Sequence, residues 1–211
     1  MFTGLVQELG KLIDNQPLAA GVRLRIQSTL GHKSAYVLGE SIAIDGACLS
    51  VVAWDEGTFA VEASVETLNR TTLKNAHVGD ALHLERAARF GDPIGGHLVS
   101  GHIDGLCTLE QREILGEAQR LRFRAPDGLM PLIAEKGSIA IAGVSLTVNE
   151  VDNKTFSVVI IPITQAHTKL GTLAVGASLN LEVDLIARYV ARLHQFKKTD
   201  WTTLLEQNGT L

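Results

Sequence analysis

The chain has 211 residues, of which 45% are hydrophobic and 20% charged, with a net charge of −4. This balance is ordinary for a packed globular protein; it offers no basic face for nucleic acid and no apolar run near the roughly 20 residues of a membrane-spanning helix. Met1-Phe2-Thr3-Gly4 lacks the basic start of a signal peptide, and the two cysteines, Cys48 and Cys107, show no disulfide or zinc spacing, which fits a reducing cytoplasm.

In chain order, the first predicted element is a strand over Arg23–Ile26, where charged and apolar residues alternate with the period of a half-buried strand. Ser41–Ile44, Cys48–Val52, Phe59–Ala63 and Leu82–Glu85 are further strand candidates, rich in β-branched residues or bounded by Asp45-Gly46 and Glu56-Gly57 turns. Ala87–Val99, with its glycines and one proline, reads as a connector. Arg120–Phe123 then repeats the charged–apolar alternation of Arg23–Ile26. Closely spaced strands without a long helix between them predict small closed barrels. The exception comes last: Asp184 can cap a helix whose Leu185, Ile186, Tyr189, Val190, Leu193 and Phe196 form one apolar stripe. About three turns are marginal alone, so the helix is expected to pack on its own barrels or, preferably, on partner helices. Residues 197–211 read as a tail.

The second strand set is the first one again. Ser41-Ile42-Ala43-Ile44 recurs as Ser138-Ile139-Ala140-Ile141, and one shift of 97 residues, from 41 to 138, carries 3–86 onto 100–183 without a gap. A period this long indicates two copies of one small domain rather than a solenoid. Positions where the copies differ are where function is sought. His102 falls opposite Leu5, Cys48 opposite Ser145, Ser50 opposite Thr147 and Glu66 opposite Ile163. Taken singly, each has a plain structural role open to it: a turn histidine, a buried thiol, a polar barrel rim, a solvated strand end at Glu66-Thr67. His97, His102 and Asp104 match no common metal spacing, and no metal is expected.

Met1–Val6, Gly95-Gly96-His97-Leu98-Val99-Ser100-Gly101-His102, Gly46–Ser50, Gly143–Thr147 and Ile161–Thr164 together resemble the trimeric alpha-type riboflavin synthase family, from residue 1 to about 196 and including the duplication. The resemblance implies an all-β fold of two tandem six-stranded Greek-key barrels, over 1–97 and 98–184, closed by a trimer-forming C-terminal α-helix over 185–196. It implies a cofactor-free dismutation of two 6,7-dimethyl-8-ribityllumazine molecules to riboflavin and 5-amino-6-ribitylaminouracil. One lumazine is expected per barrel, with the active site between the N-barrel of one subunit and the C-barrel of its neighbour. A homotrimer is the implied assembly, and a lumazine synthase is a further candidate partner.

Carried over residue by residue, the resemblance assigns His102, Cys48, Ser145, Thr147 and Ser41 to catalysis. To substrate contact it assigns Gly4, Leu5, Val6, Cys48, Leu49, Ser50, Glu62, Glu66, Thr67, Gly101, His102, Ile103, Lys136, Ser145, Leu146, Thr147, Ile160, Ile161, Pro162 and Thr164. The backbone at Gly4, Val6, Gly101, Ile103 and Ile161 is expected at the ring edges, with Glu66, Thr67 and Thr164 on the ribityl hydroxyls. The residue types suit the chemistry, because an acidic 7-methyl group needs only a modest base such as imidazole. The chain departs from the family pattern at Ala142, where aspartate is common, and at Asp45, Ser50 and Ile163. Two other readings remain at this stage: a non-catalytic lumazine or flavin binder of the same fold, and a paired-barrel scaffold that binds no pterin.

Overall fold

The computed structural model describes residues 1–196; the sequence-predicted tail lies outside the described residues. Twelve strands form two closed six-stranded antiparallel barrels. The first contains β1 (Glu8–Leu18), β2 (Gly21–Gln27), β3 (Ser41–Ile44), β4 (Ala47–Asp55), β5 (Thr58–Ser64) and β6 (Ala81–Arg86). The second contains β7 (Gly105–Leu115), β8 (Ala118–Arg124), β9 (Ser138–Ile141), β10 (Val144–Val151), β11 (Thr155–Ile160) and β12 (Ser178–Val183). Around the first barrel the order is β1-β2-β5-β4-β3-β6, and the second repeats it six strands later, so both are Greek keys. The interleaved order leaves no free sheet edge.

Alternation places the core where the sequence puts it. Leu24 and Ile26 of β2 and Leu121 and Phe123 of β8 are fully buried. Arg23 and Arg25, on the outer face, pair with Glu62 and Asp55. Phe59 packs on Tyr36 in one barrel (centroids 5.0 Å apart) and Phe123 on Phe156 in the other (5.7 Å). The sequence does not mark β1 and β7, and bulges explain why. Register shifts between Leu12 and Asp14 and between Leu109 and Gln111 break the two-residue period there. The bulge lets β1 turn from β6, which pairs with its first residues, to β2 along the remainder.

Short helices decorate the barrels: α1 (Leu30–Lys33), α2 (Val65–Arg70) and α3 (Pro162–His167). Glu66 and Thr67 therefore sit in a helix, which corrects the strand-end reading. Ser64 caps α2 by accepting from the Thr67 amide at 3.2 Å, a local signal that the β-branched Val65 and Thr67 within the helix obscured. The last element, α4 (Leu185–Phe196), begins where expected: the Asp184 carboxylate accepts the Ile186 amide at 2.9 Å.

The barrels meet around a local two-fold axis. The β3–β4 and β9–β10 hairpins turn through Asp45-Gly46 and Ala142-Gly143, all four residues having positive φ, as such two-residue turns require. The two glycines abut, and a Cβ on Gly46 would stand 2.7 Å from the Gly143 amide nitrogen. Twin residues His83 and Asn180 then stitch the seam in the same way. Asn180 donates to the Asp45 carbonyl (2.8 Å) and accepts the Thr72 amide (2.7 Å). The His83 ring bonds the Ala142 carbonyl through Nδ1 (2.8 Å) and accepts the Lys169 amide at Nε2 (2.7 Å), which fixes a neutral ring with its proton on Nδ1. Burial holds its pKa below the ordinary histidine value. Asp45 points its carboxylate into this seam, to Lys169 Nζ (2.6 Å) and the His83 amide (2.9 Å).

Candidate functional site

Each barrel is finished by the opening segment of the other copy. Gly101 lies on Cys48 of β4, its carbonyl accepting the Cys48 amide at 2.9 Å, and Ile103 packs on the first barrel's core. Gly4 does the same for Ser145 of β10 (2.8 Å), with Val6 on the second core. Only glycine fits: a Cβ on Gly101 would stand 2.5 Å from Cys48 Cβ, and one on Gly4 2.5 Å from Ser145 Cβ, and both have φ near the left-handed region (80° and 76°). A buried carboxylate clamps each crossing. Glu85 accepts from the Thr3 amide (2.7 Å), the Thr3 hydroxyl (2.8 Å) and the Gly4 amide (3.0 Å). Glu182 takes the Ser100 amide (2.7 Å), the Ser100 hydroxyl (2.6 Å) and the Gly101 amide (2.9 Å). Burial pushes the Glu85 carboxyl above its ordinary pKa in spite of those donors.

On the first barrel this geometry opens a cleft of about 360 Å³ lined by Ala47, Cys48, Glu66, Thr67, Arg70, Thr71, Gly101, His102, Ile103, Asp104 and Arg188. That volume lies in the range of small-molecule sites. The cleft gathers a half-buried thiol, an exposed imidazole, a threonine hydroxyl and an ion pair between Glu66 and Arg70 one helical turn apart. Cys107, by contrast, is buried away from the cleft with its thiol pushed up to about 12, and is inert. A second cleft of about 430 Å³ runs along the barrel seam. Among its charged groups Asp45 and Lys169 pair with each other, and Asp80 accepts the His77 amide at 2.8 Å.

The twin position on the second barrel is occupied differently. The connector lays Gly96 across it, where a Cβ would stand 2.1 Å from the Thr3 carbonyl oxygen and 2.8 Å from Ser145 Cβ, and His97 Nδ1 lies 2.7 Å from Ser145 Oγ. The physical content of the Gly-Gly-His motif is thus close backbone approach followed by an imidazole on a serine. Burial lowers the His97 pKa, so the ring is neutral near pH 7. Its Nε2 is buried without a partner among the described residues. Sequence reasoning considered His97 as a metal ligand, rejected that role, quoted it within the Gly-Gly-His motif, and missed this contact. Among the described residues no three His, Cys, Asp or Glu side chains converge as a metal site.

The structure brings together Cys48, Glu66, Thr67, Gly101, His102 and Ile103 in the first cleft. Gly4, Ser145 and His97 meet on the second barrel, with Leu5 exposed beside Gly95. Ile161, Pro162 and Thr164 enter and form α3, the twin of α2. Ser41 and Ser50 face each other across β3 and β4, two residues beyond Cys48 and outside the cleft lining. Leu49 and Ile160 are buried in the barrel cores, while Leu146 packs half-buried against the second core, one residue beyond Ser145. Thr147 is exposed opposite Ser138. Glu62 pairs with Arg23 on the outer wall, and Lys136 is exposed on the loop before β9.

Residues 3–87 and 100–184 each match the lumazine binding domain family, the same two stretches that the internal repeat marks. The riboflavin synthase of Brucella abortus is 43% identical over 94% of this chain and all of its own length. That of Photobacterium phosphoreum is 34% identical over the whole of both chains. Among solved structures, LumP in complex with riboflavin superposes with a TM-score of 0.80 over 87% of this chain and 99% of its own, at 24% identity, a likeness of fold. With two lumazine-binding domains in tandem and full-length relatives of one name, the chain belongs to the riboflavin synthase family.

Proposed function

We propose that this chain is a riboflavin synthase, converting two molecules of 6,7-dimethyl-8-ribityllumazine to riboflavin and 5-amino-6-ribitylaminouracil. The observation that carries this reading is the pair of twin half-sites: one glycine-on-strand frame built twice, furnished with Cys48 and His102 on one barrel and with Ser145 and His97 on the other. Two like molecules taking unlike roles need such an arrangement. His102 takes a proton from the 7-methyl group of one lumazine, and the resulting carbanion attacks the other ring. A four-carbon unit then passes across, and the atoms balance without an added oxidant or reductant. The larger share of the rate comes from holding the two rings together. Cys48 and Ser145 address the rings, His97 fixes the Ser145 hydroxyl, and Glu66, Thr67 and Thr164 bind ribityl hydroxyls.

The two half-sites of one chain lie on different barrels, so in this reading the reacting pair forms between the first barrel of one subunit and the second of a neighbour. A homotrimer joined through α4 supplies the neighbours. Ile186, Tyr189, Val190 and Leu193 stand 67, 64, 60 and 51% exposed along α4, a stripe suited to other copies of itself. Two free cysteines at unrelated repeat positions suit a cytoplasmic enzyme. Incubation with the ribityllumazine tests the proposal: one riboflavin and one diaminopyrimidine should appear for every two lumazines consumed. Tight, fluorescent binding without turnover would instead make the chain a pterin carrier.

A further inference from the structure

We infer that Arg188 is a positioning residue for His102, through which α4 governs the geometry of the first-barrel half-site; the inference rests on the reading of that site given above. A single guanidinium nitrogen, Nη2, donates to the His102 carbonyl (2.9 Å) and to Asp104 Oδ2 (2.8 Å), and lies 3.8 Å from Glu182 Oε1. Asp104 is itself tied down, accepting the Val183 amide at 2.8 Å and donating its own amide to the Leu181 carbonyl at 2.9 Å. Glu182 holds the Ser100 and Gly101 amides. Arg188 therefore joins both ends of the crossing segment 100–104, the segment that carries His102 over Cys48. The imidazole makes no hydrogen bond to a described residue, so its placement depends on the backbone beneath it.

The anchor is one-sided. The twin of Glu182 is Glu85, which clamps Thr3 and Gly4 in the same way, but the twin of Asp104 is Gln7, and Arg188 lies in α4, beyond the repeat, where the first copy is followed by the connector. The extra cation is supplied only to the half-site with the exposed histidine. Its origin matters as well. At 100° per residue, Arg188 lies on the face of α4 opposite the exposed stripe of Ile186, Tyr189, Val190 and Leu193. Whatever packs on that stripe fixes the helix, and the helix fixes His102 through one side chain. Assembly and catalytic geometry are coupled at Arg188.

The test uses the full chain with Arg188→Ala and Arg188→Lys. Three measurements are made: sedimentation, single-turnover rate with 6,7-dimethyl-8-ribityllumazine, and the ring C–H resonances of His102 by NMR. Arg188→Ala should keep the wild-type oligomer, lose roughly 10- to 100-fold in rate, the scale of an ångström-sized misplacement, and shift or broaden the His102 resonance. Arg188→Lys should recover part of both, since an ammonium reaches the same acceptors without the planar fork. An unmoved His102 resonance in Arg188→Ala overturns the inference, as does a rate loss accounted for wholly by dissociation. If the wild-type chain makes no riboflavin, the functional reading fails on its own and the resonance still decides whether Arg188 positions His102.

Discussion

His102 and Cys48 share one cleft but stand in different settings, and their substitutions should separate. His102→Gln is expected to slow turnover by about 10² to 10⁴, the usual loss of a general base, with lumazine affinity nearly unchanged. Cys48→Ser should be milder, because serine already holds the twin position 145 against the same glycine geometry. Single-turnover rates measured beside affinities check both, and the reverse ranking would transfer the leading role to the thiol. The glycines make a structural prediction. Gly101→Ala forces a methyl into Cys48 Cβ and an L-residue into positive φ, a strain of about 1–3 kcal/mol. Urea unfolding should show that loss, together with weakened riboflavin binding at the first barrel.

At the scale of elements, α4 separates local from tertiary information. Its start and its stripe follow from Asp184 and from apolar residues at three- and four-residue spacing, so both were legible in the sequence; the Phe196 end of the stripe lies outside the described side chains. What its polar face does was not legible, because Arg188 finds its partners at positions 102 and 104, more than eighty residues away. Glutamate on the outward face, in the double variant Ile186→Glu and Val190→Glu, should dissociate the proposed trimer without altering the Arg188 side chain itself. Sedimentation that still reports a trimer would remove α4 as the joining element. Helix α2 teaches the converse lesson: Val65-Glu66-Thr67, with two β-branched residues of its own, follows β5 and reads as its continuation until Ser64 is seen capping the turn.

For the whole molecule, the seam between barrels carries a pH dependence whose sign follows from His83. Its folded pKa lies below the ordinary 6.5, so as pH falls through 6.5 the unfolded chain binds the proton first. Stability is then fully present above about pH 6.5 and declines toward the lower folded pKa. His97, also lowered by burial, adds in the same direction. His83→Asn, which installs the residue that its twin already uses at 180, should fold and lose less stability than wild type between pH 7.5 and 5.5. Equal acid sensitivity of the two chains by denaturant unfolding would remove His83 as a source. The crossing segments also bear on dissection. Residues 1–97 contain all strands of the first barrel but lack Gly101 to Ile103, so this fragment should bind riboflavin poorly as a monomer. Binding should appear with pairing, when the Gly4 segment of one copy lies on Cys48 of another. Titration over a range of protein concentration distinguishes the two.

The sequence by itself determined the duplication, the barrel class, the Asp-Gly turns, the helix cap and the residue types that break the repeat, because each is written in periodicity or in local backbone preference. Tertiary structure alone decided that Gly101 lies on Cys48 and Gly4 on Ser145, that His97 meets a serine, that Asp45 serves the seam rather than the Cys48 cleft, and that Arg188 reaches the His102 loop. Those contacts join residues some 50 to 140 positions apart. Chain propensity is local, whereas which side chain covers which strand is settled only when two closed barrels, each with a fixed register, dock about a common axis.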